Sequence, residues 1–383
     1  MYDEQVKPLM KHSSVIHHFD GVVYVDNSGL AVEIADPDGS VRRLLTLLDG
    51  TRTVPQIHRD LAADYPSVSP AEVARAIAQF DEAGFLLDGR HTAEGILNDY
   101  ELGRWERNVN FFGSFTRLSG NRYLTQRKLT DLRVTLLGLG GLGSHLLLDL
   151  AALGVGHIRI VDFDKVELSN LNRQILYSEA DVGKPKIECA ARRVREFSSH
   201  LDLETMERRL SSADDVYEAA EGADILLSAA DRPKAEIMSW VNEGIVRANI
   251  PMLTGGLDTQ RCLYYSVIPG VTGCIECWRQ QVRREDPISD RMLTRRRTDE
   301  VAGDKGAFVP MVVLITGFVI SDLVRIVTGM APPVSAGRLI HGRFTDYAMT
   351  VGESWERLPD CRVCGSVTAP PRILGATPEL VHS

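Results

Sequence analysis

Four of the six cysteines fall in two C-x-x-C steps, Cys274–Cys277 and Cys361–Cys364. Each step offers two thiolates, and two steps together close a tetrahedral zinc site. Four thiolates leave no open coordination position, so a zinc held this way would staple chain segments and not take part in chemistry. Cys189 and Cys262 stand alone and read as small core residues. The ten histidines show no ligand spacing, and His17–His18 reads as an exposed or partly packed pair.

A second constellation suits phosphate. Gly138-Leu139-Gly140-Gly141-Leu142-Gly143 is G-x-G-x-x-G, set after an apolar run and before a helix-like stretch. Backbone N–H groups and a helix N-terminus hold phosphate in that context. Asp162 and Asp164 close the next apolar run, where a carboxylate can hold ribose hydroxyls. Asn170, Arg173 and Gln174 follow in "NLNRQ", Lys186 in "GKPK", and Asp231 ends "DILLSAAD". Singly, such residues more often make surface ion pairs. Together, at strand ends, they suit a triphosphate, whose extra charge needs cations that a dinucleotide's pyrophosphate does not. A carboxylate at Asp231 can hold Mg²⁺ on those phosphates. The set favours ATP over a nicotinamide cofactor, which would leave the cysteine pairs and the Asn-Arg-Lys cluster without a purpose.

The elements that must position these groups are strand, glycine loop, helix and strand over Leu132–Val161, then further apolar runs, "ADILLSAAD" and "PMLTGGL", alternating with helical segments. This order predicts an α/β fold, a Rossmann-like domain with a mostly parallel sheet. "RCLYYSVIPG" reads as an antiparallel strand after it. "FVPMVVLITGFVISDLV" is broken by Pro310, Gly317 and Asp322 and reads as a buried helix; a membrane span needs ~20 apolar residues.

Residues 1–92 are patterned separately. "GVVYVDNSGLAVEIA" predicts two strands around Asn27-Ser28-Gly29. Three short helices follow, one capped by Thr53 and one by Ser69 with Pro70 and Glu72, a capping box. That is a small winged-helix-like α+β domain, leaving 93–383 as the nucleotide-binding domain with the zinc site. The stretch from about 91 to 130 reads as a linker packing on the second domain. The chain has 383 residues and a net charge of −9, which argues against nucleic acid as a partner. The N-terminus lacks the apolar core of a secretory signal, so the expected location is the cytoplasm, where disulfides are rare.

Taken together, "GLGGLG", "DFDKVELSNLNRQ", "VGKPK", Asp231 and the cysteine pairs resemble the ThiF/MoeB-type adenylyltransferases, relatives of the ubiquitin-activating enzymes. The likeness covers roughly residues 100 to 365. It implies a homodimer that binds ATP and Mg²⁺ and activates a carboxyl as an acyl-adenylate. By motif position, Asp164 would hold the ribose, Asn170 and Arg173 the phosphates, Lys186 the reacting phosphate and Asp231 the magnesium. "RWERN" is a variant of the family's R-Y-x-R-Q, departing at Trp105 and Asn108, and implies that Arg107 reaches the triphosphate of the other subunit. No cysteine lies between Cys277 and Cys361, which removes the thioester or persulfide step of the ubiquitin-activating branch. That segment instead holds Arg283, Arg284, Arg291, Arg295, Arg296 and Arg297: a solvated loop, or one crossing the active site to guide an acidic ligand.

The first domain is similar to PqqD-like peptide-recognition domains through "LLDGTRTVPQIHRDLA" and "VARAIAQFDEAGFLL". There a leader peptide adds a strand to a three-stranded sheet. The combination resembles MccB-like peptide-modifying enzymes. It implies ATP-dependent activation of a precursor peptide's carboxyl or amide group. The alternatives are an adenylyltransferase for a sulfur-carrier or ubiquitin-like protein, and a leader-peptide-binding partner without turnover.

Overall fold

The computed structural model describes residues 5–27, 30–258, 260–298 and 306–374. Contacts divide the chain into two compact units, Met1–Lys128 and Leu129–Ser383.

In the first unit, β1 (Pro8–Met10) precedes an antiparallel sheet of β2 (Val15–Phe19), β3 (Val22–Asn27) and β4 (Leu30–Ala35). Ser28 and Gly29 of the expected turn lie outside the described residues. Then come α1 (Ser40–Leu47), α2 (Val54–Asp64), α3 (Pro70–Glu82) and β5 (Leu86–Asp88), which pairs with β1. The expected capping box forms on α3: Glu72 N–H donates to Ser69 Oγ at 3.3 Å and Ser69 N–H to Glu72 Oε2 at 2.8 Å. Val25, Leu45, Ile57, Ile77 and Phe85 fill a core belonging to this unit. Two helices follow, α4 (Asp99–Phe115) and α5 (Arg122–Thr130).

The stretch between those helices was expected on the second domain and is anchored to the first. Leu118 is buried in the N-terminal core and its N–H donates to Asp81 Oδ1 at 2.8 Å. Arg117 donates to the carbonyls of Asp81 and Glu82 at the end of α3. Helix-end carbonyls have no partner within the helix, and this arginine supplies donors for them. The unit therefore runs past the expected boundary near residue 92.

The second unit is built on an eight-stranded sheet of order β13-β12-β11-β10-β9-β6-β7-β8. Its elements are β6 (Arg133–Leu137), α6 (Gly141–Leu153), β7 (His157–Asp162), α7 (Lys186–Phe197), β8 (Asp202–Glu207), α8 (Ala213–Ala220), β9 (Ile225–Ser228), α9 (Ile237–Ala248), β10 (Met252–Asp258), β11 (Arg261–Val267), α10 (Ile275–Glu285), α11 (Pro287–Thr298), α12 (Val309–Thr328), β12 (Arg338–Arg343) and β13 (Met349–Ser354). β8, β7, β6, β9 and β10 are parallel, and β11 to β13 add antiparallel. Apart from exposed Arg133, β6 and β9 are buried and mostly apolar, as strands covered on both faces tend to be. The chain leaves β6 toward β7 and β8, then returns to β9 on the other side. The carboxyl ends of β6 and β9 thus flank the switch point where ligands bind in open α/β sheets.

By length and composition α12 matches a membrane span. It packs on α6, β10 and β11, with Val312, Ile315, Val319 and Leu323 buried. Its buried Asp322 carboxylate accepts the N–H groups of Val334 (3.1 Å) and Ser335 (2.8 Å) and pairs with Arg325. It is the buried core helix expected from the sequence.

Candidate functional site

The glycine loop lies at the switch point. Gly138 has φ +88°, and a Cβ there would come within 2.9 Å of the Ala229 backbone. A Cβ on Gly143 would lie 1.9 Å from the Gly138 carbonyl oxygen, so only glycine lets α6 start so close to β6. At Gly140 a Cβ would meet only Gln174 Nε2, at 4.0 Å. The tip is open, and the first N–H groups of α6 have no helical partner of their own. This cradle fits phosphate.

Asp162 and Asp164 divide the work expected of either. Asp162 is buried, and both its oxygens are engaged: Leu139 N–H donates at 2.6 Å and Asp164 N–H at 2.8 Å. Burial pushes its carboxyl above the usual range, against the pull of those two donors. Asp164, with its side chain 51% exposed, is the one able to reach a ligand, and it pairs with Lys186 Nζ at 3.1 Å. Lys186 is buried at the first position of α7, and its own N–H donates to the Asp164 carbonyl at 2.9 Å. A buried ammonium beside an exposed carboxylate is a strong local charge, held without freedom to swing away.

The "NLNRQ" turn lies against the cradle. Arg173 lies along Gly141, where a Cβ would meet its Cδ and Nε at 3.3 Å. Its guanidinium donates to the Ser169 carbonyl and Asn172 Oδ1 at 3.2 and 2.9 Å. Asn170 is buried and its Oδ1 caps Glu167 N–H at 3.1 Å. Gln174 is buried with an Oε1 that has no partner, a group left for a ligand to satisfy. Asp231 is exposed just beyond β9, next to the Ala229–Ala230 backbone that abuts Gly138. Cradle, Asp164, Arg173, Gln174, Lys186 and Asp231 therefore converge on one sheet edge.

Two residues here went unnoticed in the sequence. Tyr177 is buried and its hydroxyl donates to the Leu139 carbonyl at 2.8 Å. Burial, and next the Asp162 charge, push its phenol well above the ordinary value, so it stays a donor. His145 Nε2 lies 3.1 Å from the Arg173 carbonyl. Neither belongs to a spacing motif, since both act on backbone groups.

Arg107 belongs to the first unit, on the exposed side of α4. One turn and two turns on, Phe111 and Phe115 are 56% and 52% exposed with rings 5.4 Å apart. Arg283, Arg284 and Arg291 are exposed on α10 and α11, so the arginine-rich stretch is helical there and not a loop. The side chains of Arg295, Arg296 and Arg297 lie outside the described residues. Beyond the stretch, the Ala307 carbonyl accepts from Asn172 Nδ2 at 3.2 Å, returning the chain to the "NLNRQ" turn.

The four paired cysteines are brought together, all buried, with Sγ atoms within 4.8 Å of one another. Individual separations are 4.0, 3.7 and 3.4 Å. Ligands ~2.3 Å from zinc at tetrahedral angles lie about 3.8 Å apart. Leu358 N–H donates to Cys277 Sγ at 3.4 Å and Asn242 Nδ2 to Cys274 Sγ at 3.6 Å, the outer contacts that orient thiolates. The donor set fits a closed structural zinc. Cys189 and Cys262 are buried apart from it, their thiols pushed up by burial.

Residues 106–363 match the model of the ThiF family. The chain is 32% identical over 206 residues to the sulfur carrier protein ThiS adenylyltransferase of Bacillus subtilis, covering 53% of this chain and 56% of that one. It is 27% identical over 270 residues to the molybdopterin-synthase adenylyltransferase of Escherichia coli, covering 70% and 98%. Among solved structures, Escherichia coli MccB with ATP superposes with a TM-score of 0.74 at 23% identity, over 94% of this chain and 99% of that one.

Proposed function

The chain belongs to the ThiF family and is an adenylyltransferase, and on that premise we propose that it activates a carboxyl or amide group of a ribosomally made precursor peptide. The observation that carries this reading is the first unit. The family match begins at residue 106, and most of a folded unit with its own core, Met1–Lys128, precedes that point. The fold likeness to MccB, which has been solved in complex with N-formylated MccA, extends through that unit. The unit is the PqqD-like element of the reading. Among its described residues it holds no glycine cradle and no metal-ligand cluster. It does offer free sheet edges at β2 and β4, to which an extended peptide can add.

The second unit supplies the chemistry. A substrate oxygen attacks the α-phosphate of ATP, the bond to the β-phosphate breaks, and pyrophosphate leaves. Gly138, Gly140, Gly141 and Gly143 shape the cradle, and Asp164 holds the ribose. Asn170, Arg173, Gln174 and Lys186 bind the phosphates. Asp231 holds Mg²⁺, which neutralises charge on the phosphates when bound. No side-chain nucleophile is needed; positioning and charge neutralisation carry the rate. None of the six cysteines is in a disulfide, which supports a cytoplasmic setting.

A second reading, activation of a sulfur-carrier protein, is favoured by the named activities of the sequence relatives. Pyrophosphate release separates the two. Short peptides encoded beside the gene should stimulate it, and a small carrier protein ending in Gly-Gly should not. The reverse pattern would transfer the substrate assignment to the carrier.

Peptide binding should not need ATP. In the full chain, a labelled stimulating peptide should bind with nucleotide absent. Proline within its paired segment should weaken binding more than most side-chain changes, because main-chain hydrogen bonds supply the affinity. Fluorescence anisotropy reads this. Binding indifferent to proline at every position would rule out strand addition.

The active site is composite in a homodimer, with Arg107 reaching the phosphates of the partner. Chains carrying Arg107→Ala and Arg173→Ala are each expected to be inactive. Mixed in a verified heterodimer they should recover about a quarter to a half of wild-type activity, since one of two sites is then intact. No recovery would place Arg107 within its own chain or outside catalysis.

A further inference from the structure

We propose that Tyr177 is a positioning residue whose hydroxyl, with the Asp162 carboxylate, clamps the Leu139 peptide and so aims the phosphate-binding N–H groups of the glycine loop. The clamp grips both ends of one residue. Asp162 Oδ2 accepts Leu139 N–H at 2.6 Å, and Tyr177 Oη donates to the Leu139 carbonyl at 2.8 Å. Leu139 itself is fully buried, so neither group has water as a substitute partner. Its neighbours are two glycines, Gly138 in the left-handed region at φ +88° and Gly140 at the open tip. The glycines themselves carry no side chains to fix the loop; the buried Leu139 side chain anchors it, and the two hydrogen bonds on the Leu139 backbone fix the orientation of its peptide groups.

The clamp also joins two parts of the site. Tyr177 lies three residues beyond Gln174 and four beyond Arg173, on the chain that leaves the "NLNRQ" turn. The Arg173 carbonyl is held by His145 of α6, the helix that the glycine loop opens. Loop and turn are thus tied at Leu139–Tyr177 and again at His145–Arg173. Asp162 adds a third tie through Asp164 N–H, behind the carboxylate that pairs with Lys186. A tilt of the loop away from Tyr177 would therefore separate the backbone donors from the two cations meant to act with them.

This rests on the reading that the triphosphate sits on the glycine loop, and the test separates the two. Tyr177→Phe keeps the ring and removes only the donor, leaving a buried carbonyl unsatisfied. Affinities for ATP and for adenosine are measured by titration calorimetry on wild type, Tyr177→Phe and Arg173→Ala, each verified to be fully folded at the temperature of the titration. Tyr177→Phe is expected to weaken ATP about tenfold and leave adenosine unchanged. A purely structural loss would lower both alike. If Arg173→Ala discriminates between the ligands and Tyr177→Phe does not, the clamp is overturned and the cradle stands. If neither variant discriminates, the cradle reading falls and the clamp with it.

Discussion

Replacing Lys186 with alanine is expected to reduce pyrophosphate release by about a hundred- to a thousandfold while the protein stays folded. The ammonium is buried, so water cannot take over its charge, and it is tied at 3.1 Å to a carboxylate that faces solvent. Removing it takes away positive charge where the phosphates gather it, in a place where the effective dielectric is low. The structural cost is modest, because Asp164 is half-exposed and water takes the lost partner's place. Asp231→Asn should reduce the rate comparably by another route. That side chain is exposed beyond β9, and asparagine keeps its shape while losing the charge that holds a divalent cation. Raising Mg²⁺ should restore part of the Asp231→Asn rate and none of the Lys186→Ala rate. Wild-type turnover in both variants would remove adenylation from this crevice.

What the sequence made visible was the part governed by short-range rules. G-x-G-x-x-G is visible because Gly138 and Gly143 admit no other residue, so steric necessity is written as residue type. The parallel strands are visible because β6 and β9 are buried along nearly their whole length and are therefore mostly apolar. The caps of α2 and α3 are visible because their bonds close within three residues.

The rest depends on contacts that leave no local pattern. β12 and β13 lie toward one edge of the sheet, and β13 is exposed along nearly its whole length, so alternation is lost. The division between Asp162 and Asp164 is set by which backbone N–H groups point at which carboxylate. Two aspartates two positions apart, at the end of β7 and just beyond it, look equivalent until that is known. The docking of the stretch after α4 turns on one arginine capping the end of α3 thirty-six residues earlier. No periodicity announces such a bond.

Zinc removal should have the largest effect on stability. The wild-type chain is expected to carry about one zinc, bound by Cys274, Cys277, Cys361 and Cys364. Cys274 and Cys277 open α10, while Cys361 and Cys364 lie in the segment beyond β13. The metal thus closes a loop of more than eighty residues. Without it, four buried thiols face one another with little to hold them. Binding free energies of structural zinc, roughly 10–16 kcal/mol in small peptides, are as large as the whole net stability of about 5–15 kcal/mol of a typical protein. Some attachment survives: Trp355 Nε1 donates to the Gly273 carbonyl at 2.9 Å, and Arg357 caps the Cys364 and Gly365 carbonyls. These bonds depend on the cysteine turn keeping its shape. Cys361→Ser with Cys364→Ser should therefore lose the metal and lower the melting temperature by more than ten degrees, roughly the effect of several kcal/mol. The signal is local as well as global. Two of the four tryptophans, Trp278 and Trp355, stand 6.4 Å apart beside the cluster, so chelation should shift fluorescence to the red before the sheet melts. Metal analysis decides the assignment, and full zinc occupancy in the double variant would overturn the four-thiolate site.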